Sequence, residues 1–142
     1  MTHCYDWPRP AVTTDIVVFA ERHGRPSILL IRRKGEPFAG DWALPGGFLE
    51  EDETLEACAA RELHEETGLE TADLRLFGTF SEPGRDPRGR TVSVAFLARV
   101  DAGAVEPRAG DDAAETRWFA CDALPVLAFD HDRIIARATA AL

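Results

Sequence analysis

Between Glu50 and Asp73 this chain of 142 residues sets ten acids and a single base, Arg61, on a segment that also reads as a helix. Leu55, Ala59 and Leu63 recur at i, i+4 and i+8 on one face, no Gly or Pro interrupts Glu53 to Thr67, and Gly68 is a natural C-terminal stop. This combination constrains the fold more than any other feature. The apolar stripe must lie against a sheet or a second helix, and the acidic back must face water or a ligand. On that back Glu62, Glu65 and Glu66 are related by steps of three and four, so their carboxylates converge. Like charges so spaced destabilise a bare helix. As hard oxygen donors on a rigid element they would suit Mg²⁺ or Mn²⁺, with positions left open for water and substrate phosphates. The alternative is a solvated, acidic helix surface.

The whole chain carries 25 acids, 16 bases and a formal net charge of −9, which the Glu50 to Asp73 segment accounts for by itself. That balance argues against a nucleic-acid backbone or an anionic membrane as partner. With 45% hydrophobic residues and no linker or repeat, residues 1–142 read as one folded domain. Cys4, Cys58 and Cys121 are too far apart for a disulfide framework or a zinc knuckle, which fits a reducing cytoplasm. No basic segment leads into an apolar one, and the run Ile16 to Ala20 is far short of the ~20 residues that span a bilayer. Secretion and membrane insertion are therefore not expected. His3, His23, His64 and His131 show no ligand-like spacing and read as surface or capping residues.

Coarse patterning gives an α+β order. Strands are expected over Ala11 to Ala20 and Ser27 to Arg33, joined by a hairpin turn around Gly24 and followed by a Gly- and Pro-rich loop from Lys34 to Pro45. After the acidic helix come strands Leu74 to Ser81 and Thr91 to Val100, separated by the loop SEPGRDPRGR. A short strand, Thr116 to Ala120, precedes a C-terminal helix from about Asp132, read as its N-cap, to Ala141. Strands on both sides of a central helix without βαβ alternation predict a mixed sheet with helices packed on its faces.

The spacing around the helix is more specific. Gly47, Glu53, the run Arg61-Glu62-Leu63-His64-Glu65-Glu66 and the pair Gly68-Leu69 satisfy every fixed position of the pattern G-x5-E-x7-R-E-U-x-E-E-x-G-U, where U is apolar. A chance match is on the order of one in ten million for such a chain. The sequence thus resembles the Nudix hydrolases. The resemblance implies an α/β/α sandwich, with a mixed sheet between helices and this segment as a loop-helix-loop. It implies that Glu62, Glu65 and Glu66, with the carbonyl of Gly46, bind Mg²⁺ or Mn²⁺, and that Glu53 and Arg61 pair to hold loop against helix. A lone Arg among ten acids suits that orienting role, since its planar fork fixes a carboxylate in place. The family's reaction is attack of metal-activated water on the pyrophosphate of a nucleoside diphosphate linked to another group.

Outside this segment the runs YDWPRPAVTTDIVVF, RRKGEPFAGDWALPGGFLEEDE, FSEPGRDPRGRTVSVAFLA and LAFDH are similar to the ADP-ribose pyrophosphatase branch, in which a proline follows the last glycine at the place Pro83 occupies. The branch implies cleavage of ADP-ribose to AMP and ribose 5-phosphate. Arg85, Arg88 and Arg90 would suit an anionic substrate, and Arg32 and Arg33 could reach its pyrophosphate. Tyr5 and Trp7 could stack on adenine across a homodimer interface, or pack the N-terminal arm. The catalytic base is expected either among the box glutamates or in a later acidic loop, at Glu115, Asp111 or Asp112, with Glu115 favoured. Cys58 reads as packing. Alternatives are hydrolysis of nucleoside triphosphates of the 8-oxo-dGTP kind or of dinucleotides, and a ligand-sensing Nudix domain without catalysis.

Overall fold

The computed structural model describes residues 2–71, 73–101 and 113–141. In chain order the elements are β1 (Ala11–Arg22), β2 (Arg25–Arg33), β3 (Trp42–Ala43), β4 (Gly46–Phe48), α1 (Leu55–Thr67), β5 (Arg75–Phe80), β6 (Thr91–Arg99), β7 (Ala113–Ala120) and α2 (His131–Ala140). β1 is central. Its residues Thr13 to Ala20 are buried whichever face they point to, as expected of a strand covered on both sides. It runs parallel to β6 from the Ala11–Thr91 pair to the Phe19–Arg99 pair, and β6 in turn carries β5 antiparallel. On its other side β1 pairs antiparallel with β2 through a two-residue turn, His23-Gly24, whose φ angles of 53° and 75° match the primed hairpin turn. β2 then carries β7 and the short β3.

The sheet lies between the helices. Ile16, Val18, Leu29, Val94 and Phe96 pack on one face with Ala59 and Leu63 of α1. Their neighbours Val17, Phe19, Ile28, Leu30 and Ala95 pack on the other with Ile134, Ile135 and Ala138 of α2. The period-2 alternation of β1 therefore feeds two cores, one per helix. This is the mixed sheet between helices that the sequence predicts.

Local differences have identifiable causes. The Lys34 to Pro45 loop contains β3, and β4 follows it directly; strands of two and three residues are too short to show a period. α1 begins at Leu55 rather than Glu53, because Thr54 is the N-cap and accepts the Ala57 N–H at 3.1 Å, while the Glu53 carboxylate faces Arg61. Gly68 ends the helix at φ 77°, its N–H on His64 O. α2 begins at His131 with Asp130, not Asp132, in the N-cap position; the Asp130 carboxylate is held by Arg85 and does not cap. β7 starts three residues before the expected Thr116.

Candidate active site

β4 brings the acidic helix to the central strand. In the β1 pairing Thr14 faces Gly47 and Asp15 faces Gly46, so closely that a Cβ on Gly46 would run into the Thr14 carbonyl. The Gly46 N–H donates to Glu66 Oε1 at 2.7 Å. A Cβ on Gly47 would fall inside contact distance of the Glu62 carboxyl group. The two glycines therefore let β4 press against β1 on one side and leave room for two carboxylates on the other.

Arg61 organises the helix face. Its Nε and Nη2 donate to the two oxygens of Glu53 at 2.9 and 2.6 Å, and its Nη1 donates to Glu62 Oε1 at 2.8 Å and Glu65 Oε2 at 3.2 Å. Nη2 also reaches Phe48 O at 3.3 Å, and Glu53 Oε1 accepts the Glu50 N–H at 2.9 Å. One guanidinium thus ties Glu53 of the loop before the helix to two glutamates of the helix itself. The Arg61 fork holds Glu53 well below the usual carboxylate range, at about 2, and Glu53 in turn raises Arg61. Cys58 sits below, buried, its Sγ 3.3 Å from Thr14 Oγ1, and burial pushes its thiol up to about 11. It packs; it is not poised as a nucleophile.

Glu62 and Glu66 form one wall of a cavity of about 600 Å³, to which Gly46 and Gly47 also contribute. Glu66 is 6% exposed and the Glu62 side chain 14%. Glu65 lies off the lining, its side chain 53% exposed beside Arg61. Among the described residues no three His, Cys, Asp or Glu side chains close around one point. The donor chemistry nonetheless fits a hard divalent cation: two shielded carboxylates side by side, spaced by glycines, and oxygen donors only.

Cationic and aromatic residues complete the lining. Arg33 of β2 and Arg88 of the β5–β6 loop both line the cavity, as do Arg85, Phe48 and Phe129. Arg85 is almost wholly buried and bonds bidentately to Asp130 at 2.9 and 2.7 Å. Arg88 is gripped by Asp86 at 3.0 and 2.8 Å. Burial alone would raise the Asp86 carboxyl, but the contacts from Arg88 outweigh it and the group lies low. Arg33 is lowered by burial and by the charge of Arg88.

Sequence reasoning missed the cavity floor. Asp15 and His131 line it, both buried. The Leu44 N–H donates to His131 Nδ1 at 3.0 Å, so that nitrogen carries no proton and Nε2–H faces Asp15 Oδ1 at 3.4 Å. Ser93 Oγ donates to the other Asp15 oxygen. Burial raises Asp15 and lowers His131. His131 is thus neither a surface nor a helix-capping residue. The one trace in the sequence was a polar Asp15 inside the apolar run of β1.

Other candidates lie elsewhere. Arg32 bonds Gly40 O at 3.0 Å and pairs at 3.5 Å with Glu115, which also binds Arg117 at 2.7 Å; neither Arg32 nor Glu115 lines the cavity. Arg90 donates to Ser81 O. Pro83 lines an adjacent cavity of about 580 Å³ that shares Arg85 and Phe129 with the first. Tyr5 and Trp7 are 51% and 80% exposed and stand outside both linings, with Arg9 over the Tyr5 ring. Asp111 and Asp112 fall outside the described residues.

Comparison with known proteins agrees with this geometry. An ADP-ribose pyrophosphatase of Methanocaldococcus jannaschii is 48% identical over 126 residues, covering 89% of this chain and 71% of the relative. The ADPR responsive transcriptional repressor NtrR of Acinetobacter baylyi is 38% identical over 141 residues, 96% of this chain and 56% of its own length. The NUDIX domain of Shewanella oneidensis NrtR, solved with ADP ribose, superposes with a TM-score of 0.87 at 29% identity, covering 96% of this chain and 93% of that one. The NUDIX domain family matches residues 9–141, and the chain belongs to that family.

Proposed function

We propose that the protein is a divalent-metal-dependent pyrophosphohydrolase that cleaves ADP-ribose to AMP and ribose 5-phosphate. The observation that carries this reading is that shielded carboxylates and guanidiniums line one and the same cavity. Glu62 and Glu66 line it together with Arg33 and Arg88, and a pyrophosphate needs both a metal and cationic donors. The 48% identity to an ADP-ribose pyrophosphatase supports the substrate.

In this reading Glu62, Glu66 and the Gly46 carbonyl hold Mg²⁺ or Mn²⁺, and Glu65 joins them by a rotation that releases Arg61. The ion, when bound, supplies a lowered water pKa and charge neutralisation at the phosphorus. Arg61 and Glu53 keep loop and helix in register. Arg33 and Arg88 orient the diphosphate through their N–H donors, and Pro83 lines the adjoining cavity that shares Arg85 and Phe129 with the first. Proton acceptance falls to a carboxylate of the cavity wall, since Glu115 is engaged by Arg32 and Arg117. Tyr5 and Trp7 reach adenine only from a second copy of the chain, which makes a homodimer part of the proposal. Three free thiols suit a cytoplasmic setting.

A second reading, a domain that binds ADP-ribose as a signal, is favoured by the likeness to NtrR. Purified protein assayed with Mg²⁺ against ADP-ribose, other ADP-sugars, dinucleotides and 8-oxo-dGTP separates the possibilities. Preference for ADP-ribose is expected. Preference for a triphosphate overturns the substrate assignment, and tight binding without turnover supports the signalling domain.

A further inference from the structure

Phe129 adopts φ +54°, a left-handed conformation that is strained for a bulky residue. Its flanks explain why the strain persists. Ala128 is buried and its N–H donates to Trp42 O at 2.8 Å, while His131 is fixed between Leu44 and Asp15. The chain between these anchors has to turn, and the turn presents the ring at the partition of the two cavities. Phe38, itself at φ +62°, meets that ring edge-on at 4.8 Å between centroids. The surrounding contacts over-determine this strained conformation, as they do at sites where strain serves a function.

Two cations share this ring. The Arg33 guanidinium lies 5.0 Å from its centroid and that of Arg88 5.3 Å, while Arg88 lies also 4.8 Å from the Phe48 ring. Each is tethered at its base, Arg33 by Nε on Pro37 O at 2.8 Å and Arg88 by Asp86. Arg33 is lowered first by burial and then by the like charge of Arg88, so the two guanidiniums repel. A π face offsets part of that repulsion by attracting both cations, and a fixed ring sets where they stand. Glu62 and Glu66 line the same cavity, and the Glu66 charge acts on Arg33.

We propose that Phe129 is the positioning residue of an anion subsite, its ring holding Arg33 and Arg88 so that both guanidiniums grip one phosphate group of the substrate. The inference rests on the pyrophosphohydrolase reading for its substrate but not for its anion. Phe129 acts through the two arginines. The phosphate oxygens accept from guanidinium N–H groups, and the ring carries no bond to the substrate.

The test titrates the full chain with inorganic pyrophosphate, with Mg²⁺ and without, in wild type, Phe129→Leu, Phe129→Tyr and Phe129→Trp, beside kinetics on ADP-ribose. Phe129→Leu should weaken pyrophosphate binding about tenfold and raise KM similarly, with kcat changed less than about twofold, while Tyr and Trp keep both within about threefold. Phe129→Met, which also lacks a π face, replaces Leu if that variant does not fold. Two results overturn the proposal. One is unchanged pyrophosphate affinity in a folded Leu or Met variant, the mark of a merely structural residue. The other is loss of affinity for adenosine with pyrophosphate unaffected, the mark of direct stacking on the base. Wild type that binds pyrophosphate in this ring-dependent way but hydrolyses no ADP-ribose would leave the subsite standing and remove the pyrophosphatase reading.

Discussion

Gly46 and Gly47 are neighbours that should fail differently. A methyl group on Gly46 meets the Thr14 backbone, which cannot give way without parting β4 from β1, so Gly46→Ala should cost on the order of 1–3 kcal/mol in denaturant unfolding. A methyl group on Gly47 meets the end of a flexible side chain. Gly47→Ala should therefore fold near normally yet lose activity, by roughly the 10–100-fold typical of disturbed metal-site supports, as the Glu62 carboxylate is pushed aside. His131 makes a pH prediction. Its buried ring has a pKa below the ordinary 6.5, under the combined influence of burial, Asp15, Asp130, Arg85 and Arg33. The unfolded chain then takes the proton first, so the contribution is intact above about pH 6.5 and falls on acidification by up to about 1.4 kcal/mol per unit. Asp15, raised by burial, works in the opposite sense: its ionisation costs stability as the pH rises through its folded pKa. His131→Gln keeps an acceptor for the Leu44 N–H but does not titrate. Melting temperatures at about pH 5.5 and 7.5 should differ less in that variant than in wild type; an equal difference would assign the acid sensitivity elsewhere.

At the scale of elements, α1 was legible apart from its start, read at Glu53 instead of Leu55, because its apolar stripe and Gly68 stop agree with one another, while the Thr54 cap that sets that boundary went unread. β3 and β4 were not. Short strands that contain Gly or a single buried Ala are defined by what they pair with, and a chain read residue by residue does not show partners. For the same reason the acids of α1 were legible as a cluster, whereas the turn of Glu65 toward Arg61 and away from the cavity was not. Asp15, Ser93 and His131 escaped because they meet only when β1, β6 and α2 pack. The Arg61 fork gives the element-level prediction. Lys offers a point charge and cannot span Glu53, Glu62 and Glu65 together, so Arg61→Lys should lose about as much activity as Arg61→Ala, roughly 10–100-fold. Full rescue by Lys would mean that charge alone matters there.

For the whole molecule, the formal charge of −9 belongs to one loop-helix-loop in an otherwise balanced chain. That figure already counts Arg61, the segment's one base, which pairs with Glu53, Glu62 and Glu65, while Glu62 and Glu66 line the cavity. Binding to the folded state alone should raise the melting temperature with Mg²⁺ or Mn²⁺, by the equivalent of about 2.7 kcal/mol at a hundred times Kd, and excess chelator should reverse it. No shift at millimolar metal would count against a site held by Glu62 and Glu66. The fold class and the acidic site were readable at this scale, since both follow from patterns local in sequence. The cationic wall was read only in part, with Arg33 and Arg88 at the cavity and Arg32 and Arg90 outside its lining. The central claim is that a pyrophosphate is cleaved in the cavity that Glu62, Glu66, Arg33 and Arg88 line. It is tested most directly by measuring kcat/KM for ADP-ribose with Mg²⁺ and separating the products, for wild type beside Glu66→Gln. The account predicts AMP and ribose 5-phosphate from wild type and a loss of about 100-fold or more in the variant. Undiminished hydrolysis by Glu66→Gln would contradict it.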